Sequence, residues 1–557
     1  MYDAVIVGSG AGGSAAAWSL SHAGLRVLVL EAGPRFDPFK DYSLHLPDWE
    51  LHGFPTPAGS QGEYRFGAMQ ALDERWQDLR SWNHLHGRSV RGRHRQVGAY
   101  HHVRGVGGTT LKFSGEAHRL HPQAMQMQSR FQVGADWPLT YEELEPFYVE
   151  AENVLGVAGP LKDSQRTRSA ALPLPAHELS YASQKVATGC KKLGLNWQAN
   201  SLAILSRPYG DRPACNYCAN CARGCPRTDK GSADVTFLHQ AQATGRCEVL
   251  PEVTVTGLEA GPQDQLTALT YVNSEGETHR VGSALFVVAA GAVETPRLLL
   301  SSGSGQDSHG LANESGQVGR NFLETLYWSS HGLHAQPLGS HRGVPVDGIC
   351  WDFNAPDSIP GVVGGVRFSI TTAESRLNGP LAYATRVVPG WGRTHKQAMR
   401  DTFGKVLGVG AIGESLPNER SYIDMDPESV DANGIPLARI HSYLPDSELN
   451  RLRFMASKSR DILQASGVDR IFEESSSYDL FSSTHVFGTC RMGQSAATSV
   501  VDSNCRSHRW KNLYITDASV FPSSGGGESP SLTIQALAIR AARHMRAALA
   551  RRDVSSS

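Results

Sequence analysis

Tyr2-Asp3-Ala4-Val5-Ile6-Val7-Gly8-Ser9-Gly10-Ala11-Gly12-Gly13 opens the chain, and Leu25-Arg26-Val27-Leu28-Val29-Leu30-Glu31 follows after a short gap. Residues 2–7 are mostly apolar and rich in β-branched side chains, the pattern of a strand buried in a parallel sheet. Gly8, Gly10 and Gly13 then give G-x-G-x-x-G. Residues 14–23 read as a helix that Gly24 stops, and residues 25–30 as a second buried strand ending at Glu31. Gly8 allows the tight strand-to-helix turn, Gly10 lets backbone approach a pyrophosphate, and Gly13 lets helix and strand pack. The helix N-terminus offers unpaired N–H groups to phosphate. Glu31 stands where a carboxylate accepts both ribose hydroxyls of an adenosine, which disfavours a 2′-phosphate. A lone G-x-G-x-x-G also marks ordinary turns. Strand, glycines, helix, strand and acid in this order identify a dinucleotide site.

The chain's 557 residues exceed what one compact core accommodates, which predicts two domains or one composite fold. Hydrophobic content of 40% and charged content of 19% are those of a globular protein. A formal net charge of −1 carries no basic excess, so nucleic acid and anionic membranes are not expected partners. No apolar run is long enough to span a bilayer. No basic leader precedes the first strand, which gives an expectation of cytoplasmic residence unless a partner carries the chain across a membrane.

Residues 35–95 show little periodicity and read as a long ordered excursion over the surface. A second glycine cluster, Arg104-Gly105-Val106-Gly107-Gly108-Thr109-Thr110, offers backbone amides to a flavin or phosphate with no side chain in the way. Thr140 and Glu143 form a capping box for a helix within 137–157. Another helix is expected at 181–193. Residues 247–257 and 266–281 read as an antiparallel meander turning at Asn273-Ser274-Glu275-Gly276. A buried strand is expected at 284–290, a short strand at 513–516 and a closing helix at 531–550. The polar end, 551–557, reads as frayed.

These pieces together resemble the glucose–methanol–choline (GMC) oxidoreductases, flavoenzymes that oxidise alcohols. Beside the N-terminal unit, Gly107-Gly108-Thr109-Thr110 is similar to the family's flavin-facing loop. The run Gly291-Ala292-Val293-Glu294-Thr295-Pro296-Arg297 through Gly303 is similar to its second signature. Val318-Gly319-Arg320-Asn321, Thr484-His485-Val486-Phe487-Gly488-Thr489-Cys490-Arg491-Met492-Gly493, and Asn512-Leu513-Tyr514 with Asp517 also match. The resemblance implies an α/β (α+β overall) architecture. A Rossmann-like FAD domain would be built from 1–115, 245–325 and 485–557, and a sheet-based substrate domain with the cysteine-rich loop from 116–244 and 326–484. FAD would lie on Gly8, Gly10, Gly13, Glu31, Gly107, Gly108 and Thr109, with Val253 on the adenine side and Asp517 and Ala518 at the ribityl and ring end.

Alcohol oxidation by a flavin needs a group that takes the hydroxyl proton while hydride leaves carbon. The resemblance assigns that role to His485. In the closer branches of the family its partner lies in Asn-Pro-Ser-Leu-Thr; here the segment is Glu528-Ser529-Pro530-Ser531-Leu532-Thr533, so Ser529 stands where Asn is usual. Ser529 keeps a hydroxyl but loses amide reach, leaving contact through a water, or a contribution from Glu528, as alternatives. Lys112 occupies the place where some members carry a flavin-bonded histidine, which implies non-covalent FAD.

Of nine cysteines, four fall in Cys215-x-x-Cys218-x-x-Cys221-x-x-x-Cys225-Pro226, the spacing of a bacterial ferredoxin run. An iron–sulfur cluster, [3Fe–4S] or [4Fe–4S], reduced structural thiols, and zinc or a disulfide are the readings this spacing allows. Some dehydrogenases of the family carry such a cluster. Three functions are therefore open. The first is a dehydrogenase passing electrons through a cluster to a quinone, a cytochrome or a small partner subunit. The second is an oxidase that reduces oxygen directly, and the third a non-redox or lyase-type flavoprotein. Tyr327, Trp328, Trp351, Phe353 and Trp391 are candidate stacking surfaces for sugar rings, with core packing as the alternative. They lean the substrate toward a sugar, polyol or glycoside over a long-chain alcohol or sterol.

Overall fold

Strand β1 (Tyr2–Val7), helix α1 (Ala11–His22) and strand β2 (Val27–Leu30) follow one another as the glycine pattern requires. The structure is a computed structural model that describes residues 2–42, 50, 63–161, 165–303 and 309–551; the expected fraying of 552–557 lies outside them. β1 and β2 pair in parallel, Ala4 beside Val27 and Val7 beside Leu30. Val5, Ile6, Val27 and Val29 are wholly buried. Each such side chain contributes roughly 1.5–3 kcal/mol relative to exposure.

Helix α2 (Tyr141–Leu155) begins with the expected capping box: the Thr140 hydroxyl accepts from the Glu143 amide, and the Glu143 carboxylate from the Thr140 amide. Helix α3 (Tyr181–Lys192) follows. The predicted meander is split. β3 (Cys247–Leu250) leaves it and pairs in parallel with β2, Cys247 beside Val27 and Leu250 beside Leu30. Only β4 (Thr254–Ala260), β5 (Leu266–Val272) and β6 (Thr278–Val288) form the antiparallel part. The first half of β6 pairs with β5, while Ser283–Val288 runs parallel to β1. Helix α4 (Gly291–Ser301) leaves its end.

A second, eight-stranded sheet is centred on β7 (Leu326–His334), β8 (Val366–Ile370), β9 (Val406–Gly413) and, beyond the helix α5 (Asp446–Ala465), β10 (Val468–Ser476). Its order is β10-β7-β9-β8, with the short strands Trp82–Asn83 and Gly87–Arg88 beyond β10, and Gly348–Cys350 and Gln198–Ala199 beyond β8. The expected surface excursion thus contributes strands to this sheet. α5 packs on β7 and β9, which buries Leu452 and Met455.

The chain then returns to the first sheet. β11 (Leu513–Ile515) docks beside β6, Phe286 opposite Leu513, and α6 (Ser531–Ala550) packs on α1 and α2. The fit is close: a Cβ on Gly12 would stand 1.8 Å from the Thr516 carbonyl oxygen. No helix among the described residues is long and apolar enough to cross a membrane.

Candidate active site

A cavity of about 620 Å³ joins the C-terminal ends of β1 and β2 to Tyr327 of β7, Arg367 of β8 and Ile412 of β9. Gly8, Gly10, Glu31, Gly108, Thr109, Val253, Asp517 and Ala518 all line it, as do His485 and Ser529. Gly13 and Gly107 stand behind the wall. A Cβ on Gly13 would lie 2.0 Å from the Gly8 carbonyl oxygen, so Gly13 serves packing. Gly8 turns with φ +91°, where a Cβ would come within 2.5 Å of the Ala289 oxygen. Gly10 differs. A Cβ there meets only Gly108 Cα, at 3.9 Å, so the space in front of it belongs to the cavity.

Glu31 is buried, and its carboxylate accepts from Ser9 N (3.0 Å), Ser9 Oγ (2.6 Å), Gly33 N (3.0 Å) and Gly105 N (3.2 Å). It binds the two glycine loops to each other. Burial pushes its carboxyl up from the ordinary value, against those four donors. Asp517 closes the other side: its carboxylate accepts from Gly291 N (2.9 Å), Thr295 Oγ1 (2.5 Å) and Ser519 N (2.8 Å). A glycine-lined trough, the N-terminus of α1 and a buried acid at the end of β2 fit a dinucleotide of the FAD type.

His485 lies between the strands Leu480–Ser483 and Val486–Phe487. Its backbone oxygen accepts from Thr325 N (3.2 Å), which fixes the residue at the cavity wall. Its imidazole makes no hydrogen bond to protein among the described residues and so remains available to a ligand. Burial pushes its pKa down to about 4, with Glu116 opposing and Arg367 assisting. The ring is neutral at ordinary pH and can accept a proton.

Beside it lies a network that sequence reading missed. Glu116 Oε2 accepts from Arg367 Nη2 (2.6 Å) and Ser529 Oγ (3.0 Å), and Oε1 from Asn200 Nδ2 (3.1 Å). The Ser529 amide donates to His118 Nδ1 (3.1 Å), so His118 carries its proton on Nε2 and donates it to Asn200 Oδ1 (2.8 Å). Although burial opposes it, the Arg367 guanidinium holds the Glu116 carboxyl below the usual range. Because Ser529 donates to Glu116, its hydroxyl turns lone pairs to the cavity. Glu528, the alternative partner, points elsewhere: its Oε1 accepts from the His121 amide (3.0 Å) and Arg166 (2.9 Å), and it does not line the cavity.

The four cysteines do not assemble as a ligand cage. No group of three or more His, Cys, Asp or Glu among the described residues is placed to hold a metal, and all four thiols are free. The Cys225 thiol donates to Asp229 Oδ1 (3.4 Å) and Cys215 is bonded to the same carboxylate, while Cys221 is buried against Val344 and Val346. Burial raises the Cys215, Cys221 and Cys225 thiols. In this arrangement the residues do not fit an iron–sulfur cluster. The loop nonetheless reaches the cavity wall at Ala222.

Of the five candidate stacking aromatics only Tyr327 lines the cavity. Trp328 is core, Phe353 packs on Phe368 and Phe454, Trp351 lies under the Arg166 guanidinium at 4.4 Å, and Trp391 stands 89% exposed.

The N-terminal GMC oxidoreductase family model matches residues 2–326, and the C-terminal one residues 417–538. The chain belongs to the GMC oxidoreductase family. It is similar to the fructose dehydrogenase large subunit of Gluconobacter japonicus, 28% identical with 97% of each chain covered. It is also similar to the gluconate 2-dehydrogenase flavoprotein of Pantoea cypripedii, 28% identical over 98% of this chain and 93% of that one. The paromamine 6'-oxidase of Streptomyces fradiae is 29% identical, over 98% and 91%. Among solved structures, pyridoxine 4-oxidase from Mesorbium loti shares the fold, with a TM-score of 0.65 at 20% identity, covering 98% of this chain and 99% of that one. A GMC oxidoreductase is a flavoprotein, and its FAD fits the trough described above. Lys112 lines this cavity. With lysine and not histidine at that place, acid precipitation is expected to release the flavin into the supernatant. Colour retained in the pellet would show a covalent link.

Proposed function

We propose that this GMC oxidoreductase oxidises a carbinol of a sugar, polyol or glycoside and passes the electrons to an external acceptor. The observation that carries the reading is the neutral, unbonded imidazole of His485, facing the same cavity as the glycine trough and Glu31. FAD bound in that trough supplies the hydride acceptor. His485 takes the hydroxyl proton at a ring nitrogen, and Ser529, oriented by Glu116, accepts a hydrogen bond from a neighbouring O–H. Arg367 and Asn200 hold Glu116 in place, so the proton acceptor sits beside a fixed, charge-balanced pair.

The names of the fructose and gluconate dehydrogenases support the substrate class and the dehydrogenase reading. The words "large subunit" in the first of them support a partner subunit for this chain. Two observations favour oxygen as the acceptor instead: the cysteine loop does not assemble a cage, and a relative is named an oxidase. The test is anaerobic bleaching of the flavin by a panel of sugars, polyols and long-chain alcohols, followed by admission of oxygen or an artificial acceptor. Bleaching by sugars or polyols with slow reoxidation in air is expected. Fast peroxide formation would favour the oxidase, and a flavin that no alcohol bleaches would sink both. Three or four irons per flavin would require Cys215 and Cys225 to leave Asp229.

Ser529→Asn is expected to retain flavin reduction within about tenfold, since an amide still donates to Glu116 and the net worth of one such hydrogen bond is about 1 kcal/mol. A larger loss in single-turnover kinetics would show that the hydroxyl itself is required.

A further inference from the structure

Glu374 belongs to the loop that leaves β8 and lines the cavity, its carboxyl within electrostatic reach of Glu116 and Arg367 on the same wall. The other acids of the wall are engaged: Glu31 by Ser9, Glu116 by Arg367, Glu294 and Asp431 by Arg297, Asp517 by Thr295. Glu374 makes no hydrogen bond and no ion pair among the described residues. The loop is fixed. Ser375 N donates to Thr371 O (2.8 Å), Arg376 N to Ala373 O (3.0 Å) and Leu377 N to Thr372 O (2.9 Å). Arg376 is held at φ +59°, a conformation that side chains rarely adopt and that tends to persist where a loop is positioned for function.

The positive charge nearest in effect is Arg367, already bound to Glu116 at 2.6 Å, so the pair is neutral and Glu374 stands without a counter-charge. An acceptor on a rigid loop, in a cavity that also holds a proton-accepting His485, is placed to receive an N–H or O–H from a ligand. We propose that Glu374 selects the substrate by accepting a hydrogen bond from a second donor group, a hydroxyl or an ammonium, on the molecule whose carbinol faces His485. This rests on the alcohol-oxidising reading above. Burial, with the Glu116 carboxylate, pushes the Glu374 carboxyl up to about 7. An ammonium would supply the missing positive charge and ionise it, while a hydroxyl binds either form.

The test uses the FAD-loaded full chain, with the best polyol, the best amino sugar and the best mono-alcohol of the panel. The readout is anaerobic flavin bleaching, giving a limiting rate and a half-saturation concentration for each. Glu374→Leu is expected to lower the preference for polyol or amino sugar over mono-alcohol by roughly 10–100-fold, with the loss in half-saturation and not in limiting rate. The isosteric Glu374→Gln keeps an acceptor without the charge. In this variant, loss of preference for the amino sugar alone identifies ammonium as the donor, and retained preference for both polyol and amino sugar identifies hydroxyl. Flavin absorbance per protein establishes that each variant is loaded, and Glu374→Gln decides the matter if Glu374→Leu loses flavin. A wild type that prefers the mono-alcohol, or a preference unchanged in both variants, overturns the assignment and leaves the oxidoreductase reading intact. Bleaching by no alcohol overturns both.

Discussion

His485→Ala is expected to slow flavin reduction by about 10²–10⁴-fold, the usual worth of a positioned acid–base group, while flavin content stays near that of the unaltered protein. The imidazole has no protein partner among the described residues, so its removal leaves no buried donor or acceptor orphaned, and the fold has no reason to suffer. The pH profile gives a second reading of the same residue. Its pKa, pushed down to about 4, lies below the ordinary histidine value of 6.5. The base form is therefore present through the neutral range and is lost only as pH falls through about 4. The acid limb of the bleaching rate should lie near that value in the unaltered protein and vanish in the variant. Full activity in His485→Ala would place the base elsewhere.

Gly10→Val should abolish flavin retention without unfolding the chain. A Cβ at Gly10 meets nothing of the protein nearer than 3.9 Å, so the added methyls project into the trough and occupy the space of the pyrophosphate. Gly13→Val is the contrasting variant. Its Cβ would lie 2.0 Å from the Gly8 oxygen, a clash with backbone that cannot give way, so loss of flavin there should come with loss of stability. Circular dichroism and the flavin-to-protein ratio separate the two. A yellow, folded Gly10→Val protein would mean that the dinucleotide does not pass this point.

The sequence made the nucleotide half readable because its signals are local. Strand, glycines, helix and acid follow within thirty-odd residues, and the 20-residue closing helix, Ser531–Ala550, runs as its pattern predicts. β3 was misplaced because four residues of alternating pattern do not show whether the neighbour will be parallel; that was decided by a free edge on β2 far away in the chain. Glu116, Arg367 and Asn200 come from three unrelated segments and obey no period. Their meaning lies in a mutual distance of about 3 Å, which only the fold supplies. The cysteine spacing showed that four sulfurs could reach one centre. It could not show that Asp229, four residues past Cys225, would take two of the thiols. Among the aromatics, composition did not distinguish Tyr327 on the wall from Trp328 in the core, although they are adjacent, because neighbouring residues on a strand point to opposite faces.

The four donors gathered on the Glu31 carboxylate bear on how the apoprotein meets its flavin. Residues 9, 33 and 105 come from separate loops, and the single buried anion holds them in register. Ordering a loop residue at the moment of association costs about 1–2 kcal/mol of conformational entropy. Because these residues are restrained within the folded chain, that cost belongs to folding and not to capture of the flavin. The nucleotide thus enters a preorganised receptor, and its affinity is not diminished by having to build one.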